Sequence, residues 1–245
     1  MTWEPELEEL RRRQELAKRM GGEERVERQH ATGRLTVRER IERLFDEGTF
    51  RETGTIAGAG RYEDGELTAF LPANCVVGRG RIDGRPAVVQ GDDFTVRGGA
   101  ADAAIWQKMV YAEQLAAELR MPLVRLVDGT GGGGSVKTLE TMGFTYVPFI
   151  PGFELAAGNL SIVPVVAAAL GPEAGLGAAR VVASHFSVIV KGTAQLFVAG
   201  PPVVAAAMGE APVKEELGGA RAQTRGVAVD DEAADEDDAL DQLRR

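Results

Sequence analysis

A single cysteine, Cys75, stands among the 245 residues, so the chain has no internal disulfide framework and no multi-cysteine metal site. In its apolar strand pattern the thiol reads as buried packing, and such cysteine usage fits a reducing cytoplasm. Histidine is almost as scarce: His30 and His185 are the only two, and neither has a His or Cys partner at ligand spacing. A Ser-His-Asp triad would have to recruit one of them, and His185, just past a helix and before an apolar strand, reads as structural. Long apolar runs are missing as well. The longest, Ile162 to Leu170, is about half what a bilayer requires, and the N-terminus is charged from the start, unlike a signal peptide. These features predict a cytoplasmic protein with no membrane partner. Positive charge is also short, 28 Lys and Arg against 37 Asp and Glu for a net of -9, which argues against a nucleic-acid partner. The acidic run from Asp230 to Asp241 lacks the glycine and spacing of a calcium loop and reads as a solvated helix face, so no metal is expected.

What the chain does have is an α/β pattern. Pro5 to Met20 carries Leu7, Leu10, Leu16 and Met20 on a very polar helix that Gly21-Gly22 terminates. After a polar joint, Thr36-Val-Arg-Glu39 forms a capping box at the start of a second helix ending at Gly48. From Thr53 the period changes, and Val76 to Ile82 followed by Asp83-Gly84 and Arg85 to Gln90 predicts a β-hairpin. A helical pattern spans Gly98 to Leu119. Strand and helix then alternate through Leu123 to Asp128, Phe153 to Leu160, Ile162 to Leu170 and Gly175 to Ser184. Short strands are expected at Ser187 to Val190 and Leu196 to Val198, with helices over Val203 to Met208 and Glu232 to Leu243. No linker or repeat is visible.

Two of these strands run straight into glycine. Pro122 to Val127 enters Asp128-Gly-Thr-Gly-Gly-Gly-Gly-Ser135, and Ile162 to Leu170 enters Gly171-Pro-Glu-Ala-Gly-Leu-Gly177. Glycine admits positive φ and close approach to the main chain, so such turns can hold an anion or oxyanion. Lys137-Thr138 gives the first turn the outline of a phosphate loop, but Val136 fills the place of the glycine that should precede the lysine. In the second turn, the Gly175 and Leu176 amides fall at the predicted start of a helix, where unpaired NH groups and the dipole favour negative charge. A thioester enolate would suit that place. Tight helix-to-strand packing is an equally good reading of the same glycines.

The order of several blocks narrows the choice. These are Gly33-Arg-Leu-Thr-Val-Arg-Glu-Arg40, Leu44-Phe-Asp-Glu-Gly-Thr-Phe50, Asp92-Asp-Phe-Thr-Val96, Gly98-Gly99, the turn at Asp128, Gly171-Pro172 with Ala174-Gly175, Phe197-Val-Ala-Gly-Pro-Pro202 and Glu216-Leu-Gly-Gly-Ala-Arg221. Together they resemble the N-terminal half of biotin-dependent acyl-CoA carboxyltransferases, the β subunits of propionyl-, acetyl- and methylcrotonyl-CoA carboxylases. The resemblance implies a crotonase-like (ClpP/crotonase) α/β spiral of ββα units over residues 51–245, with a helical extension over 1–50. It implies transfer of a carboxyl group from carboxybiotin to the α-carbon of an acyl-CoA, through an enolate held by backbone NH groups. On this likeness the catalytic amides are Gly175 and Leu176, with Gly98, Gly99, Gly131, Gly132, Ala174 and Gly177 lining the acyl-CoA site. Biotin would be carried by a partner, a biotin carboxyl carrier or biotin carboxylase subunit. Leu176 stands where the family has a second glycine, and the segment after Asp128 departs from the family's usual Ser-Gly-Gly-Ala-Arg. On this likeness the C-terminal carboxyltransferase half is missing from these residues, so the chain is expected to be either a fragment or one whose second half comes from a separate subunit, in a homo-oligomer, with little turnover by this chain alone. A CoA-dependent decarboxylase subunit and a non-catalytic assembly subunit are the alternatives.

Overall fold

In the computed structural model, residues 2–99, 106–129, 140, 152–209 and 212–245 are described. Three helices come first: α1 (Glu4–Lys18), α2 (Glu23–Ala31) and α3 (Val37–Leu44). The capping box of α3 forms as expected, with Thr36 accepting from the Glu39 amide and Glu39 reaching back to the Thr36 amide. The polar joint before it is helical, a difference from the sequence reading. Its Gln29 is buried by a tertiary hydrogen bond, which no local apolar stripe announces.

Seven strands make the main sheet, in the order β1 (Arg51–Thr53), β4 (Cys75–Ile82), β5 (Arg85–Asp92), β6 (Leu123–Val127), β7 (Val165–Ala169), β9 (Phe186–Val190), β11 (Asp231–Ala233). From β5 onward every neighbour is parallel, while β4 and β1 run antiparallel. The β4–β5 hairpin closes at Asp83 (φ 49°) and Gly84 (φ 78°), the positive-φ pair that an Asp-Gly turn supplies. A second hairpin, β2 (Gly58–Glu63) with β3 (Glu66–Pro72), stands apart from this sheet.

Alternate residues of the strands face opposite layers, which is why the central strands read as nearly continuous apolar runs. Val76, Val89 and Val124 join a core shared with α3, α6 (Leu176–Val182) and α10 (Glu236–Arg244). Val77, Val88 and Leu123 join a second core with Ala112, Leu115 and Ala116 of α4 (Trp106–Leu119). Beyond the end of β7, β8 (Pro172–Ala174) pairs in parallel with β10 (Gln195–Phe197).

Four boundaries differ from expectation. The strand predicted from Ile162 begins at Val165, because the Ile162 and Val163 amides bond back to Asn159 O and close the end of α5 (Phe153–Asn159). The acidic helix predicted from Glu232 starts at Glu236. Asp231–Ala233 instead pairs with β9, and Asp235 caps the helix by accepting from the Asp238 amide at 2.9 Å. The helix after Gly200 forms as α7 (Pro201–Met208), followed by two short helices not anticipated, α8 (Lys214–Gly218) and α9 (Ala220–Arg225). The start of the Gly98–Leu119 pattern is a left-handed turn rather than helix, with Arg97, Gly98 and Gly99 at φ 54°, 64° and 63°.

Candidate functional site

Parallel strands β5, β6 and β7 end at the same sheet edge, and there the glycine segments meet. A Cβ added to Gly99 would lie 2.5 Å from Asp128 O and 2.7 Å from Gly129 Cα, and one added to Gly129 would lie 2.6 Å from Gly99 O. The Gly98–Gly99 turn therefore stacks backbone to backbone on the end of β6, a contact that no side chain would permit. From the third direction, a Cβ on Gly171 would strike the Asp128 carboxylate, and one on Gly177 would strike the Glu173 carboxyl.

Beneath the turns lies a floor of buried charge. Asp128, without exposed surface, accepts from Arg34 at 2.9 Å, from Arg40 at 2.7 Å and from Gln29 at 3.1 Å. Arg40 also forks onto Glu236 with bonds of 2.6 and 2.7 Å. Arg34 lies 4.5 Å over the Phe94 ring. Asp92 accepts from Arg180 at 3.0 and 3.1 Å and from the Asp128 amide at 3.3 Å. Burial works against the charge on Arg40, yet Asp128 and Glu236 hold its pKa above the ordinary value; burial raises that of Asp92 despite Arg180. The three arginines match Asp92, Asp128 and Glu236. Glu173 is a fourth buried carboxyl, and its Oε1 accepts from the Gly129 amide at 2.8 Å.

The residues singled out by sequence fall as follows. Gly98 and Gly99 lie at the convergence, as do Ala174, Gly175, Leu176 and Gly177. Gly131 and Gly132 lie outside the described residues, as does the phosphate-loop-like Lys137-Thr138. The expected pair of oxyanion amides needs correction at Gly175. Its NH donates to Phe197 O at 3.0 Å, because the β8–β10 ladder continues one residue past Ala174. Leu176, the first residue of α6, has no acceptor outside its own helix among the described residues. Its side chain is half-buried. Among the described residues the amides without a backbone acceptor at this turn are those of Leu176, Gly177 and Ala178, the first three of α6, while Ala179 makes the first intrahelical bond, to Gly175 O.

Neither histidine belongs here. His185 accepts from the Val165 amide and bonds Leu160 O, bridging α5 to β7, and His30 pairs with Glu39. Cys75 is buried, and burial pushes its thiol up to about 12, as an inert packing residue. Among the described residues no cluster of His, Cys, Asp or Glu could hold a metal, and no helix is long and apolar enough to cross a membrane. Sequence reasoning missed the buried floor. Its only trace was acid and base at positions where the surrounding pattern is apolar, such as Glu173 in β8.

Residues 28–245 match the carboxyl transferase domain. The chain is 33% identical over 246 residues to the carboxyltransferase subunit of propionyl-CoA carboxylase from Haloferax mediterranei, spanning all of this chain and 47% of that protein. It is 34% identical to the alpha subunit of methylmalonyl-CoA decarboxylase from Veillonella parvula, over 99% of this chain and 47% of that one. In structure it is similar to transcarboxylase 12S with hydrolysed methylmalonyl-coenzyme A bound, with a TM-score of 0.81, 30% identity, and coverage of 100% of this chain and 48% of that one. The β subunit of P. aeruginosa geranyl-CoA carboxylase gives a TM-score of 0.72 at 26% identity, covering 89% of this chain and 39% of that one. The fold is thus the crotonase-like α/β arrangement of carboxyltransferases. The chain spans about half the length of the curated relatives it matches.

Proposed function

The chain belongs to the carboxyl transferase domain family, and we propose that it is the acyl-CoA-binding half of a biotin-dependent carboxyltransferase. Carboxybiotin, delivered as a substrate on a partner carrier, gives its carboxyl group to the α-carbon of an acyl-CoA thioester. The α-proton passes to the biotin nitrogen that gives up the carboxyl group, negative charge shifts onto the thioester oxygen, and donors aimed at that oxygen lower the barrier. In this reading the Leu176 and Gly177 amides are those donors, Gly175 shapes the turn, and Gly98–Gly99 with Asp128–Gly129 form the facing wall. In this reading the biotin side comes from the remaining half of the assembly; this chain spans about half the length of the relatives it matches. The observation that carries the reading is the convergence of three glycine segments at one sheet edge, in a chain of this family.

Leu176→Pro tests it in the assembled enzyme. Proline is tolerated at the first position of a helix, so the substitution removes one NH donor and spares the helix. Loss of one such donor costs about 3 kcal/mol, so kcat should fall on the order of a hundredfold with propionyl-CoA as acceptor. Unchanged turnover would overturn the role of that amide. A second reading, decarboxylation of a malonyl-type CoA thioester, is supported by the similarity to methylmalonyl-CoA decarboxylase. It uses the same enolate in the opposite direction. Release of carbon dioxide from methylmalonyl-CoA without added biotin separates the two. An assembly subunit with no catalytic part would bind no acyl-CoA in calorimetry, even beside its partner.

A further inference from the structure

Glu173 differs from Asp92, Asp128 and Glu236, each of which is paired with an arginine. It has no exposed surface, and no arginine is hydrogen-bonded to it among the described residues. Its Oε1 accepts from the Gly129 amide at 2.8 Å, while Oε2 lies against Gly177 and has no hydrogen-bond partner among the described residues. One side chain thereby touches both glycine segments of the site, the turn after β6 and the first turn of α6. The charged groups facing it are Asp92 from β5, Asp128 from the end of β6 and Arg180 from α6, and Arg180 is hydrogen-bonded to Asp92. Strand β10, paired with β8, brings only the uncharged Gln195, Leu196 and Phe197. Burial, followed by the charges of Asp92 and Asp128, pushes the Glu173 pKa well above the ordinary carboxylate range.

We propose that Glu173 is a positioning residue that works in its protonated form, a neutral latch holding the Gly129 turn against Gly177, and that loss of its proton to solvent separates the two segments. An ionised carboxylate here would sit buried beside two negative groups, with Arg180, whose Nη1 is bonded to Asp92, as the one cation facing it among the described residues. A neutral acid is also compatible with negative charge developing on a ligand at the adjacent amides. That consequence rests on the acyl-CoA reading, whereas the latch itself does not.

The sign of the linkage fixes the test. A carboxyl whose folded pKa is raised binds its proton more tightly in the folded state, so stability falls as pH climbs from the ordinary carboxylate range toward the folded value. Glu173→Gln keeps an oxygen for the Gly129 amide and cannot ionise. The melting temperatures of the full chain and of this variant should lie close together near about pH 5 and separate by several degrees by about pH 9, with the variant higher. A gap that stays constant across that range overturns the latch. Hydrogen exchange supplies a second measurement that needs no variant. Exchange at the Gly129 amide, divided by that at Val124 within β6, should rise more than about tenfold over the same interval, and a flat ratio overturns the proposal. Titration with propionyl-CoA keeps the two readings apart. If the pH pattern appears without binding, the latch stands and the acyl-CoA reading falls; if binding appears with a flat pattern, the reverse holds.

Discussion

Asp128 and Glu173 end up at the same depth, beside each other, each following a strand of the same site, and they are treated in opposite ways. Asp128 is surrounded by two guanidinium groups and an amide, and the chain it recruits comes from α2, the loop after it and α3. Glu173 receives one backbone NH and faces two other carboxylates and Arg180, whose Nη1 is bonded to Asp92 rather than to it. Burial of a carboxyl therefore does not fix its state. The difference shows how the two turns are held: a fully paired ion anchors the first to the helical extension, and an uncharged acid joins the first to the second.

The largest effect should come from removing the paired side. Asp128→Ala leaves Arg34 and Arg40 buried with one partner fewer, and such a break costs about 3–5 kcal/mol, read as a lower denaturation midpoint in urea. A change under about 1 kcal/mol would mean that the arginines find water, and the contrast with Glu173 would fail. Next is the packing around the latch. Gly177→Ala drives a methyl group into the Glu173 carboxyl, and overpacking of this kind costs about 1–3 kcal/mol. In a Glu173→Ala background that cost should shrink, and a double-mutant cycle gives the coupling. Additive effects would show that the two residues do not touch.

Smaller effects bound the comparison from the surface. Burial works to raise the Glu39 pKa, but hydrogen bonds from His30 and Thr36 outweigh it and hold the carboxyl at about 2. Its folded pKa is depressed, so its stabilisation is present above the ordinary carboxylate range and disappears as pH falls toward about 2. The stability difference between the chain and Glu39→Gln, with the chain the more stable, should therefore narrow in acid; its sign is opposite to that at Glu173, where the variant is the more stable. A difference that widens in acid would contradict the Glu39 assignment. The smallest effect belongs to Arg28 and Glu24, whose side chains are 72% and 85% exposed; their double-mutant coupling should be indistinguishable from zero in physiological salt.

Local chemistry was legible wherever a feature is closed within a few residues. Thr36 and Glu39 formed their capping box and Asp83-Gly84 its hairpin turn because each needs only its own neighbours. The expected Gly175 donor failed for the converse reason. Its NH is taken by Phe197 O, 22 residues away in sequence, across a strand pair that periodicity does not reveal. Strand β11 and helix α2 were missed in the same way, since a parallel neighbour and a buried Gln29 contact define them. Leu176 was legible both as a departure from the family's glycine and as an amide donor at the start of a helix, whereas the acceptor that occupies its neighbour Gly175 was not.

By itself the sequence determined the α/β pattern, the glycine-ended strands and the family, because apolar period, turn chemistry and block order are written along one dimension. Tertiary structure decided which amides at the turns remain open and which buried carboxyls are charged. Both depend on partners far away in the chain, Phe197 for Gly175, Arg34 and Arg40 for Asp128, and the lack of such a partner for Glu173 among the described residues. Hydrogen bonding and desolvation act through space at a few ångströms, and only the folded chain sets those distances.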